Sequence, residues 1–129
     1  MTAGGGGGAY RRVVIDLFRH PKNRGPLPDA SASAEGANPL CGDRIRVELR
    51  GDHSHVTEAR FSADACALCI ASASLLTERV RGMSADDALK IDAVWLFASL
   101  EGEPPPGRRK CAILPLDTLR RAVAALPPA

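Results

Sequence analysis

Asn38-Pro39-Leu40-Cys41-Gly42-Asp43-Arg44-Ile45-Arg46-Val47-Glu48-Leu49 carries both the fold signal and the chemistry of this chain. Its second half alternates polar and apolar residues with period two, the pattern of a strand with one wet and one buried face. Its first half is a turn. Pro39 fixes its own φ and holds Asn38 extended, and Gly42 lets the backbone approach whatever its neighbours share. Cys41 and Asp43 stand two residues apart across that glycine. A thiolate and a carboxylate so placed suit a divalent metal such as zinc or iron.

Reading outward, Gly51-Asp52 supplies a turn, and Val56 to Phe61 returns as a second strand, giving a hairpin. His53 and His55 fall at its tip, where polar residues are ordinarily solvated. Upstream, Val13, Val14, Leu17 and Phe18 mark an amphipathic helix over Tyr10 to Arg19, stopped by His20-Pro21. His20 faces the negative end of that helix. The Pro-, Gly-, Ser- and Ala-rich stretch up to Asn38 reads as loop.

Downstream, Leu68, Leu75, Leu76 and Val80 form the stripe of a helix over Asp64 to Arg81, with Cys66 in its first turn. Ser84 caps a further helix reaching Leu100, with Ala88, Leu89, Ile91, Val94, Trp95 and Ala98 as its buried face. Gly102 to Gly107 interrupts regular structure. Cys111 precedes a last helix that Pro115 opens and Leu126 ends. The fold class expected is α+β: a small antiparallel sheet of two to three strands with helices packed on one face.

At 129 residues the chain holds one domain, residues 10–129, after a disordered glycine-rich tail over residues 1–9. The formal net charge of +2, with basic residues scattered among acidic ones, argues against nucleic acid as a partner. No apolar run approaches the roughly 20 residues of a membrane helix, and the glycine run from Ala3 to Ala9 lacks the apolar core of a signal peptide. A cytoplasmic, reducing setting follows as the expectation, in which the four cysteines serve metal or thiol chemistry rather than disulfides.

Cys41, Cys66 and Cys111 each sit where a loop meets an element. With Asp43 they make a three-sulfur, one-oxygen donor set, enough for a closed tetrahedral site. The spacings are not those of a zinc finger or ribbon. Cys69, one helical turn beyond Cys66, reads as a small buried hydrophobe.

These residues resemble those of the iron-sulfur cluster assembly proteins of the NifU N-terminal, IscU and SufU family. The resemblance runs from about Tyr10 to Leu126. Its markers are His20-Pro21-Lys22-Asn23-Arg24-Gly25, Asn38 to Asp43, Phe61 to Thr77, and Arg109 to Leu119. It implies a sheet and helices presenting Cys41, Asp43, Cys66 and Cys111 at one end as metal or cluster ligands. It also implies two kinds of partner: a pyridoxal-phosphate-dependent cysteine desulfurase that hands over sulfur as a persulfide, and apo-proteins that receive the product. Two positions depart from the pattern. Ala65 replaces the glycine usual before the second cysteine. Lys110 replaces the histidine of the cluster scaffolds and matches the lysine of the SufU branch, although the segment from Cys66 to Cys111 lacks that branch's insertion.

Three functions follow as alternatives. The first is a scaffold assembling a transient [2Fe-2S] cluster that Asp43 keeps labile. The second is a zinc-dependent sulfurtransferase carrying persulfide sulfur on Cys41, with Cys111 as the rival acceptor. The third is a structural zinc module. In the first two, Arg108, Arg109 and Lys110 are expected to dock an acidic surface of the desulfurase.

Overall fold

The computed structural model describes residues 3–129 and resolves the pattern into three strands and five helices. Helix α1 spans Ala3–Arg19, strand β1 Ala32–Asn38, β2 Asp43–Asp52 and β3 His55–Asp64. Helices α2 (Ala67–Val80), α3 (Ala85–Ala88), α4 (Ala93–Ser99) and α5 (Arg109–Ala124) follow, the last entered through a 3-10 turn over Pro106–Arg108. Met1 and Thr2, the start of the expected tail, lie outside the described residues. From Ala3 onward the glycine run is part of α1: once the turns beyond Tyr10 nucleate a helix, each further residue adds one backbone hydrogen bond.

The sheet is antiparallel in the order β1-β2-β3. Ile45, Val47 and Leu49 of β2 are buried, and Arg44, Arg46 and Arg50 between them are exposed, so the alternation selects the face that the helices cover. Val56, Ala59 and Phe61 of β3 point inward, and α2 and α5 pack over them with Leu76, Leu116 and Leu119 fully buried. That is the expected architecture, and the strand number is three, the upper of the two expected.

Strand β1 stands where the composition predicts loop, because Ala32-Ser33-Ala34-Glu35-Gly36-Ala37-Asn38 has low β propensity. Pairing decides it. Ala32 lies opposite Leu49 and Asn38 opposite Asp43, so a strong neighbour supplies the ladder that local preference lacks. The small residues are there for packing: a Cβ added at Gly36 would collide with Thr118 Oγ1 and come 3.0 Å from Leu114 Cδ1.

The single helix expected over Ser84 to Leu100 is two helices. Ser84 does cap the first, accepting from the Asp87 N–H at 3.1 Å. Asp92 then adopts φ −132 and ψ 179, and its carboxylate accepts from the Trp95 N–H at 3.0 Å, starting a second helix. The break turns Leu89 and Val94 outward, at 41% and 77% exposure, and Ala98 is exposed as well, so none of the three belongs to the buried face assigned to them. Asp92→Ala is expected to cost about 1 kcal/mol, a drop of a few degrees in Tm by thermal melt. An unchanged melt would remove Asp92 as the cause of the break.

Helix α2 begins later than expected, because Asp64 closes β3 and Cys66 is the N-cap, just before the first turn. Helix α5 begins earlier, at Arg109, so Cys111 lies inside its first turn and Pro115 inside the helix rather than at its start. The 3-10 turn feeds straight into α5, and Pro115 merely lacks the N–H that would bond the carbonyl of Cys111. Among the described residues no helix is long and apolar enough to cross a membrane.

Candidate metal and sulfur site

The topology brings the donors together. Asn38 pairs with Asp43, so Pro39 to Gly42 form the tip of the β1–β2 hairpin, with Gly42 at φ +76 and Cys41 exposed. Asp64 pairs with Arg44, so the chain leaving β3 delivers Cys66 to the same end of the sheet. Helix α5 starts over that end and sets Cys111 against the hairpin. Four donors from three separated segments therefore converge.

Cys41 Sγ lies 3.8 Å from Cys111 Sγ. The ligand atoms of Cys41, Asp43 and Cys111 all fall within 4.8 Å of one another. Cys66 joins through Asp43: its N–H donates to Oδ1 at 2.9 Å and its Sγ lies 3.5 Å from Oδ2. The candidate ligands are thus adjacent, and exposure grades across them. Cys41 is open, Cys66 half-buried, and Cys111 and Asp43 are buried.

Electrostatics explain how a buried carboxylate is tolerated. Burial raises the Asp43 pKa, but the Cys66 N–H and the thiols of Cys41, Cys66 and Cys111 bond its charged form and hold it below the ordinary carboxylate range. The Cys111 thiol is pushed up to about 12, by burial first and then by the neighbouring Cys66 and Cys41 sulfurs. A cation among the donors reverses that logic, since it favours every deprotonated sulfur. Cys66 at the head of α2 and Cys111 in the first turn of α5 also place two positive helix ends toward the site. The donor set of three thiols and one carboxylate fits zinc or an iron-sulfur core.

The remaining candidates fall away from this centre. Cys69 is fully buried and its thiol pKa is raised by burial, as expected of a packed hydrophobe. His53 and His55 are at the far end of β2, on the order of 30 Å along the strand from Asp43. The basic run is exposed, but Arg109 is already engaged: it pairs with Glu103 at 3.0 Å and lies 4.9 Å over the Phe97 ring. Beside the site a groove of about 550 Å³ opens between the hairpin tip and α5, lined by Asn38, Pro39, Lys110, Ile113 and Leu114 among others.

Tyr10 carries no sequence signal beyond helix periodicity. It packs against Gly102, where an added Cβ would come 3.0 Å from its own Cβ. Its phenol pKa is raised by burial, and the charges of Arg108, Cys66 and Cys111 act on it, which puts it at the border of the site.

With this geometry in hand, comparison with known proteins is specific. Residues 9–128 match the model of the NifU-like N terminal domain. The zinc-dependent sulfurtransferase SufU of Bacillus subtilis is 32% identical over 132 aligned positions, covering 89% of each chain. The iron-sulfur cluster assembly scaffold protein IscU of Escherichia coli is 35% identical over 121, covering 90% of this chain and 92% of its own. Among solved structures, a SUF-system protein of Fervidobacterium islandicum AW-1 superposes with a TM-score of 0.77 at 24% identity, covering 89% of this chain and 96% of its own. That likeness bears on the fold.

Proposed function

The chain belongs to the NifU-like N-terminal domain family of iron-sulfur cluster scaffolds, and from that premise we propose that it assembles a transient [2Fe-2S] cluster on Cys41, Asp43, Cys66 and Cys111. The observation that carries this reading is the convergence of the four donors at one end of the sheet, with Cys41 exposed and the others sheltered. Sulfur arrives from a cysteine desulfurase as a persulfide. Cys41 attacks its outer sulfur, forming Cys41–S–SH and freeing the desulfurase thiolate. Cys41 suits this role because it is exposed on a hairpin tip beside Gly42. The buried Cys111 is not reached first, although it is the other candidate acceptor. A cluster built there passes to apo-proteins, and Asp43 as a hard oxygen donor to a soft core favours release.

The second reading, a zinc-dependent sulfurtransferase, is favoured by Lys110 and by the similarity to SufU. In that case zinc would be held by the same four residues and would keep the thiols deprotonated. The alignment lengths favour the scaffold: that with the sulfurtransferase takes 132 positions to cover 89% of a 129-residue chain, so SufU carries residues with no counterpart here.

Metal and acid-labile sulfide in protein purified without oxygen test the proposal. Iron and sulfide in equal amounts, transferable to an apo-ferredoxin, are expected. One tightly held zinc per chain without sulfide, together with faster desulfurase turnover, would establish the second reading. Zinc without effect on any desulfurase would leave a structural metal module.

Docking is assigned to the exposed Arg108, Arg109 and Lys110 and to the neighbouring groove, which Arg109 and Lys110 line. Arg109 also pairs with Glu103 and lies over Phe97, so the two others are the cleaner positions to reverse. Arg108→Glu with Lys110→Glu is expected to slow association with the desulfurase about tenfold at low salt and to flatten its salt dependence. Equal rates for this variant and the parent across a salt series would remove the basic run from the interface.

A further inference from the structure

Sulfur delivered as a persulfide is two electrons short of the sulfide that a cluster contains. Cys41 and Cys111, in contact at 3.8 Å across 70 residues of sequence, can supply them. We infer that Cys111 is the resolving thiol for a persulfide on Cys41, releasing sulfide into the site and leaving a Cys41–Cys111 disulfide. The inference rests on the reading of Cys41 as sulfur acceptor and adds the step that follows it.

The step balances. The Cys111 sulfur attacks the inner sulfur of Cys41–S–SH, the persulfide S–S bond breaks, and hydrosulfide leaves, taking up the proton that the Cys111 thiol gives away. Cys41–S–SH and Cys111–SH thus become Cys41–S–S–Cys111 and one molecule of hydrogen sulfide. The two cysteine sulfurs are oxidised to the disulfide and the transferred sulfur is reduced to sulfide. A dithiol reductant of the thioredoxin class restores both thiols for the next turn.

Geometry singles out Cys111. Cys66 Sγ is turned to the Asp43 carboxylate at 3.5 Å, and Cys69 is sealed in the core with no exposure. The Cys41–Cys111 separation must close by roughly 2 Å to reach a disulfide bond length. Helix α5 is packed on β1, β2 and α2, whereas Cys41 sits exposed on the hairpin tip with Gly42 at φ +76, so the loop carries the movement. Cys111 is itself 3% exposed, which keeps it for a persulfide already seated on Cys41 and away from thiols in solution.

The test uses the full-length chain, reduced and kept without oxygen in chelator, then given one equivalent of cysteine persulfide as the sulfur donor. Released sulfide is measured, and the cysteine peptides are mapped by mass. The parent is expected to release sulfide stoichiometrically and to show a Cys41–Cys111 peptide pair two hydrogens lighter. Cys111→Ser is expected to hold the extra sulfur on Cys41 and to release sulfide at least roughly tenfold more slowly. Cys41→Ser should release none, and Cys69→Ala should behave as the parent. Circular dichroism confirms that each variant folds. A persulfide that persists on Cys41 in the parent, one that moves intact to Cys111, or a disulfide mapping to Cys66 overturns the inference. Because the donor is a small molecule, the outcome is separate from the reading it rests on. Resolution with cysteine persulfide but no loading by any desulfurase would sink the acceptor role and leave the thiol-pair chemistry standing.

Discussion

Asp43→Ala is expected to lengthen the lifetime of a bound cluster about tenfold, or ~1.4 kcal/mol. The carboxylate is the only oxygen donor among three sulfurs and binds a soft iron-sulfur core more weakly than thiolate. It also adds a negative charge to a site in which every donor is anionic when deprotonated. Removing it lowers that repulsion and opens the position to a thiol. The zinc reading demands the opposite, since a four-ligand site reduced to three loses its metal and its sulfur acceptance together. Decay of the visible cluster bands in the presence of an apo-ferredoxin separates the two. A variant with unchanged metal content and unchanged sulfur acceptance would count against both.

The same substitution disturbs the metal-free fold, because the Cys66 N–H loses its acceptor at 2.9 Å, a cost of about 1–3 kcal/mol. Asp43→Asn retains an oxygen for that N–H while removing the charge, so it isolates the electrostatic part. The sign of the pH effect follows from the direction of the shift. The folded pKa of Asp43 is held below its ordinary value of 3.8, so its stabilisation is fully present above that value. The contribution is lost as pH falls through the depressed folded pKa. The Asn variant should therefore show a shallower loss of stability in acid than the parent, measured by urea titration from pH 5 downward.

Gly36→Val is expected to cost about 1–3 kcal/mol by overpacking, several degrees in Tm. The added Cβ would collide with Thr118 Oγ1 and press on Leu114 Cδ1 at 3.0 Å and Arg121 Nη2 at 3.2 Å. Thr118 cannot swing aside: it is fully buried and its hydroxyl donates to the Leu114 carbonyl at 2.8 Å. Helix α5 must then lift from β1, and it carries Cys111 with it. Zinc affinity should fall in step with stability, since the Cys41–Cys111 contact depends on that packing. Ala37→Val, on the exposed face of the same strand, is the control and should change Tm little. Equal melts for the two variants would show that the close approach of β1 and α5 is not what seats the helix.

How much of this is legible in the sequence depends on the range of the interaction responsible. The alternation from Arg44 to Leu49 specifies β2 because a period-two pattern next to water has one satisfactory burial. The Ser84 cap is legible because a hydroxyl and an N–H three residues apart settle it locally. Asp92 carries the same signal, but it is hidden inside an apolar run that also fits one long helix. Strand β1 is illegible because Ala, Ser and Gly prefer nothing strongly, and the Leu49-to-Asp43 edge decides their conformation. The start of α5 is misplaced by sequence reasoning because Pro115 is a good opening residue, yet the 3-10 turn before Arg109 has already begun the helix.

By itself the sequence determined the donor types, their placement at element ends, the family pattern and the face of the sheet that is buried, since each follows from residue chemistry within a few positions. Only the tertiary structure decided that Cys41 meets Cys111, that Asp43 ties Cys66 to them, and that Arg109 is engaged within the chain. The Arg109 contacts join α5 to Glu103 and to Phe97 of α4 across the intervening turn, and the site contacts join residues 70 and 23 positions apart. They exist because an antiparallel register sets Asp43 beside the end of β3, and a glycine in β1 lets α5 lie close enough to complete the site.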